Sequence, residues 1–284
     1  MRILDFHLHY NGNIDEAERF AALWREGGVQ KAVVFGLNFN DGSHTSMRDV
    51  AALAVRVPDF FIPFAYLNLG YEDCMAQVRE AVSRGFKGLK FIYAAKPYDD
   101  DEYFPIYEAA AKANMVCLFH TGIVIGNVGK SGLHGIDFQG KWRISSNHMR
   151  PMHLDRIARA FPDMPIVGAH LGAESWYEEA ASMLHWQTNL YFDMSIGQFH
   201  YTRKNTPEGQ DGRVIKSRIR ELYDSGTLDL HRILFGSDSV VGNPDANPGW
   251  SLRTLKFELE ALGATEEEKE AVCWGTAARL LGIP

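Results

Sequence analysis

The sequence predicts an α/β fold of the (β/α)8, or TIM-barrel, type, and three observations carry that prediction. Short runs rich in β-branched and aromatic residues alternate with longer stretches of helical periodicity from one end of the chain to the other. No GxGxxG follows the first strand, which counts against an open, doubly wound sheet built from the same alternation. The length, 284 residues, suits one barrel with loop insertions, and 46% hydrophobic residues supply its core. Residues 1–284 are therefore read as a single domain.

Eight strands are predicted, at 2–8, 31–37, 60–67, 87–92, 115–120, 165–170, 190–195 and 232–238. Between them lie amphipathic stretches such as AERFAALWREGG, EDCMAQVREAVSRG and FPIYEAAAKAN, each closing on Gly or Asn as helix ends tend to. Strands each followed by a helix imply parallel pairing with right-handed crossovers. Two connections are long. Residues 121–151 follow strand five, rich in Gly and Ser with Trp142 inside, and the polar stretch 197–212 follows strand seven. Both leave the strand ends on which barrel enzymes build their sites, so they read as lids or binding loops. The last stretch, EEEKEAVCWGTAARLLGIP, reads as a closing helix.

Composition narrows the function classes. A net charge of -7 argues against a nucleic-acid surface, which needs clustered positive charge. No run approaches the roughly 20 apolar residues of a membrane span. The opening MRILDFHLH has no apolar secretory core, and Cys74, Cys117 and Cys273 lie far apart with no CxxC pair. A cytoplasmic protein with reduced, buried thiols is expected. Its expected partner is a small-molecule substrate, and a homodimer is the common default for soluble enzymes.

The first strand reads D-F-H-L-H. Side chains alternate along a strand, so Asp5, His7 and His9 share one face while Phe6 and Leu8 share the other. With helices covering the outside, the histidines enter the barrel mouth, where two imidazoles can share a metal or simply be hydrogen-bonded. The other strand ends add to this. His120 ends strand five in CLFHTG, His170 ends strand six in VGAHLG, and Asp238 ends strand eight in ILFGSDS. Buried, unpaired ionisable groups cost several kcal/mol each, a cost that a bound metal removes.

With these motifs in this order, DFHLH, FKGLKF, LFHTG, FPDMPIVGAHLG, ILFGSDS and GTAARLLGI, the chain resembles the amidohydrolase superfamily over essentially its whole length. Within it, the chain is most similar to the amidohydrolase-related group of TIM-barrel metal-dependent hydrolases. The resemblance implies a single divalent metal, zinc with manganese as the alternative, held by His7, His9, His120 and Asp238, rather than a binuclear site. It implies a catalytic role for Asp238, as acceptor of a proton from metal-activated water, and an acid/base or electrostatic role for His170.

Three more residues are candidates for supporting or substrate-contacting roles. Asp5 either orients a ligand histidine or bonds local backbone amides. Lys90 lies near the end of strand four, where some superfamily members carry a carboxylated lysine bridging two metals; an unmodified lysine that salt-bridges within the site or contacts an anionic substrate is the expectation here. Arg143 lies in the long loop with Lys130, Lys141 and Arg150, and the later loop adds Arg203 and Lys204; together they could attract a carboxylate.

The expected reaction is hydrolysis of an ester, lactone or amide. The same group contains metal-dependent decarboxylases of aromatic and muconate-type acids, which commonly show a Pro-Trp pair after the strand-five histidine, an HGGG run and a TDYP-like run. Here the stretches read HTGI, HLGAES and GSDSVV, and that departure favours hydrolysis. A non-catalytic barrel would be expected to have replaced some of these ligands; all are present.

Overall fold

The computed structural model describes residues 2–37, 45–70, 73–123, 144–195, 199–203 and 212–284. Eight parallel strands form its ring: β1 Ile3–Tyr10, β2 Val29–Gly36, β3 Phe61–Asn68, β4 Gly88–Ile92, β5 Val116–Phe119, β6 Ile166–Gly168, β7 Leu190–Asp193 and an eighth in two pieces. Those pieces are β10 Ile233–Leu234, which pairs with β7, and β11 Ser239–Val241, which pairs with β1. Between them the Phe6 amide donates to the Phe235 carbonyl and the Asp238 amide to the His7 carbonyl, both at 2.8 Å. The span 233–241 thus carries the sheet from β7 round to β1 and closes the barrel.

The eighth strand breaks in two for local reasons. Asp238 adopts a left-handed backbone (φ 54°), which no regular strand accommodates. Gly236 passes so close to β1 that an added Cβ would lie 2.7 Å from the His7 Cβ, so only glycine fits there.

Helices cover the outer face. In α1, Ala17–Glu26, the buried residues Ala17, Phe20, Ala21 and Trp24 follow helical spacing and face the barrel. Caps set the starts of α2, Met47–Arg56, where Ser46 accepts from the Asp49 amide, and of α3, Cys74–Ser83, where Asp73 accepts from the Ala76 amide. The helices α4 Phe104–Lys112, α5 His153–Ala160, α6 Tyr177–Trp186, α7 Ser217–Asp224 and α8 Gly249–Leu262 continue the ring. The three cysteines are buried thiols, none of them in a disulfide. Among the described residues, no helix is long and apolar enough to cross a membrane.

Two elements differ from expectation. The connection after β7, expected as a polar loop, contains an antiparallel hairpin of β8 His200–Thr202 and β9 Arg213–Ile215, whose short strands find partners only across the intervening chain. The closing helix is not regular. It runs through α9 Glu266–Glu270, a wider turn at Ala271–Gly275 and α10 Thr276–Leu281, and the Val272 carbonyl in that turn accepts from the Phe235 amide at 3.0 Å.

Candidate active site

Strand β1 brings the first three site residues to the barrel mouth, and its register against β2 shifts between Asp5 and Leu8. Asp5, fully buried, spends one carboxylate oxygen on the backbone amides of His7 (3.2 Å) and Ser237 (2.9 Å) and the other on Trp24 Nε1 (3.1 Å). Of the two roles the sequence left open for Asp5, the contacts are those of the backbone pin; among the described residues no imidazole ring is a hydrogen-bond partner of its carboxylate. Burial pushes its carboxyl up to about 6, against the pull of those donors.

The ring of His7 is oriented instead by Asp193, at the end of β7, with Nδ1 2.7 Å from the carboxylate. His9 Nδ1 faces the Gly36 carbonyl at 3.1 Å. Asp238 sits opposite, with one oxygen 3.4 Å from His7 Nε2 and 3.2 Å from His9 Nε2. The His170 ring centre lies 5.1 Å from that of His7 and 4.9 Å from that of His120. The Nε2 of His120 is buried without a hydrogen-bond partner among the described residues. Its backbone is fixed by its own amide donating to the Phe91 carbonyl (2.8 Å) and by the Tyr98 hydroxyl donating to its carbonyl (2.9 Å). All five expected residues, His7, His9, His120, His170 and Asp238, therefore meet at one end of the barrel.

The backbone is strained where these side chains are presented. Tyr93, His170, Leu171, Ala173 and Asp238 have φ between 46° and 64°, and each follows the C-terminal end of a strand or breaks one. Such residues cost about 1–3 kcal/mol apiece and persist where surrounding structure holds them. Here the Thr121 hydroxyl donates to the Ala169 carbonyl and accepts from the Gly172 amide, bracing the turn of His170 against the end of β5.

Burial favours the neutral form of His7, His120 and His170, while Asp193 and Asp238 are held ionised. Burial lowers His7, takes His170 down to about 4 and lowers His120 well below the usual histidine value. Burial would raise Asp193 and Asp238, but the histidines around them outweigh it and hold both below the usual carboxylate range. An ionised Asp193 only accepts, so His7 Nδ1 must carry the hydrogen. The Gly36 carbonyl imposes the same on His9. With both rings in that neutral form, each Nε2 lone pair points at a carboxylate oxygen, an arrangement of acceptors against acceptors that a cation relieves. The donor set fits a metal: His7, His170 and Asp238 offer ligand atoms within 4.8 Å of one another, and His9 lies against the same carboxylate.

Lys90, on β4, is fully buried with its ammonium 5.1 Å from the Phe35 ring centre and no hydrogen-bond partner among the described residues. Burial pushes it down to about 8. Arg143 lies outside the described residues, as do Lys130, Lys141 and Lys204. Arg150 is spent on Glu179 at 2.6 Å.

Sequence reasoning missed Asp193 and Ser195. The Ser195 hydroxyl lies 2.6 Å from Asp193 Oδ1 and 2.5 Å from His170 Nδ1. The one trace in the sequence is that Asp193 ends the apolar run LYF, which marks a strand-end carboxylate without saying what it holds.

The Amidohydrolase family model matches residues 7–283. Comparison with curated protein sequences finds no match. Among solved structures, an uncharacterised TIM-barrel protein from Bordetella bronchiseptica is similar at 21% identity and a TM-score of 0.66, over 99% of both chains. A 5-carboxyvanillate decarboxylase from Sphingomonas paucimobilis is similar at 13% identity and TM-score 0.62, covering 100% of this chain and 99% of that one. A probable 2-pyrone-4,6-dicarboxylic acid hydrolase from Acinetobacter baumannii is similar at 12% identity and TM-score 0.63, over 100% of both. These likenesses establish the barrel, and the match along nearly all of the sequence establishes the lineage: the chain belongs to the amidohydrolase family.

Proposed function

We propose that this protein is a metal-dependent hydrolase that cleaves an ester, lactone or amide bond in a small, carboxylate-bearing substrate. One observation carries the reading: His7 Nε2 and His9 Nε2 converge on a single Asp238 oxygen, at 3.4 and 3.2 Å, while each Nδ1 is committed elsewhere. His7, His9, His120 and Asp238 would hold one divalent ion, zinc or manganese by the nitrogen and oxygen character of the donors, with His170 beside it. Such an ion supplies Lewis acidity, which acidifies water and polarises an acyl oxygen.

The residues do the rest. Asp238 takes the proton of the attacking water and passes it to the leaving group, and His170 is the second group placed to handle protons. Lys90, buried and with no hydrogen-bonding partner among the described residues, attracts the substrate carboxylate, because a desolvated charge gains most from a counter-ion.

A panel of carboxylate-bearing lactones, esters and amides, with aromatic acids alongside, tests this reading. Hydrolysis of a panel member, abolished by chelator and restored by zinc or manganese, is expected. In Lys90→Met, KM should rise for the carboxylate substrate but not for its neutral methyl ester. Release of carbon dioxide from an aromatic acid, without hydrolysis of any panel member, would replace hydrolysis with decarboxylation.

A further inference from the structure

Two of the imidazoles at the mouth share one anchor. Asp193 is fully buried and receives four donors, divided unequally between its oxygens. Oδ2 faces His7 Nδ1 at 2.7 Å. Oδ1 accepts from the backbone amides of His170 (2.8 Å) and Ser195 (3.1 Å) and from the Ser195 hydroxyl (2.6 Å). The same hydroxyl lies 2.5 Å from His170 Nδ1.

A hydroxyl has a single hydrogen. Since the carboxylate can only accept, that hydrogen goes to Asp193, and the Ser195 oxygen must accept from His170 Nδ1–H. We propose that Asp193, directly on His7 and through Ser195 on His170, is a positioning residue that locks both imidazoles in the Nδ1–H form with both Nε2 lone pairs facing the barrel mouth. The lock assigns His170 a lone pair, so it accepts a proton or binds a cation rather than donating a hydrogen bond to an oxyanion. That consequence rests on the hydrolase reading; the tautomers themselves do not.

The geometry also dictates how the lock fails. In Asp193→Asn the amide oxygen must stay at the Oδ1 position, because three donors point there. The amide nitrogen then faces His7 Nδ1 and donates to it, which drives His7 to the Nε2–H form. Ser195→Ala cuts only the branch to His170 and removes a single buried atom, leaving His7 and its anchor alone.

The test is long-range proton–nitrogen correlation NMR on the full-length protein labelled with nitrogen-15 histidine, as purified and after chelator dialysis. In wild type, His7 and His170 should each show a protonated Nδ1 and an unprotonated Nε2. Ser195→Ala should change the His170 pattern alone, and Asp193→Asn should move the proton of His7 to Nε2. Zinc affinity by competition with a chelating dye should fall about 10- to 100-fold in Asp193→Asn, the range seen when an outer partner of a ligand histidine is removed, and less in Ser195→Ala. A protonated Nε2 on His170 in wild type, or an unchanged His170 pattern in Ser195→Ala, would overturn the relay. The expected tautomers in a protein that takes up no metal would uphold the relay and sink the hydrolase reading instead.

Discussion

Two buried carboxylate–histidine pairs in this barrel share one contact and differ in everything around it. His7 meets Asp193, and His200, on β8, meets Glu258, on α8, each through Nδ1 at 2.7 Å. Asp193 is satisfied on both oxygens and is held ionised. Glu258 receives His200 and the Phe199 amide on Oε1, while Oε2 has no partner among the described residues, and burial raises its carboxyl despite His200. The His7 ring stands among His9, His170 and Phe35, with its free nitrogen toward Asp238, whereas His200 packs edge-on against Phe257. The same pair is thus built once into a site and once into the joint between a loop hairpin and an outer helix. A 2.7 Å contact does not assign a role; the number of donors and the view of the second nitrogen do.

This contrast can be broken by mutation. The largest effect is expected at the mouth: Asp238→Asn should cut kcat by about 10²–10⁴-fold, the range for losing a general base, with its melting temperature close to wild type. Steady-state kinetics beside thermal unfolding checks this, and near-normal turnover would remove Asp238 from the chemistry. At the joint the order reverses. Glu258→Ala leaves His200 Nδ1 and the Phe199 amide without their acceptor and should cost about 1–3 kcal/mol in denaturant unfolding, while the folded fraction keeps its metal content. Metal loss from folded Glu258→Ala would mean that the two regions are not separate.

The smallest effect is a slope. A carboxyl whose folded pKa lies above its unfolded value of 4.5 binds its proton more tightly when folded. Its contribution to stability is fully present below the unfolded value and is lost as pH rises through the folded value. Glu258→Gln, which stays neutral, should therefore flatten the decline of unfolding free energy above pH 4.5. An unchanged slope would show that Glu258 ionises in the fold as freely as in the unfolded chain.

Much of this was legible in the sequence because local pattern and fold agree. Strand runs such as VQKAVVFG and helices such as AERFAALWRE carry their own periodicity, and the site histidines stand directly after apolar runs. What was not legible depends on distant partners. Asp193 looks like any strand-end aspartate until His7, 186 positions away, is folded against it. Asp5 shares a strand face with His7 and His9, yet spacing alone does not say whether it holds a ring or the backbone. The break in strand eight follows from closure against β1, and the β8–β9 hairpin from pairing across a polar stretch; neither leaves a periodic trace.

The central claim is that the mouth is built around a cation, and elemental analysis of the purified protein tests it most directly. About one equivalent of zinc or manganese per chain is expected, removable by chelator and taken up again in proportion. No metal on purification, with no uptake and no activity when divalent ions are added, would contradict the account.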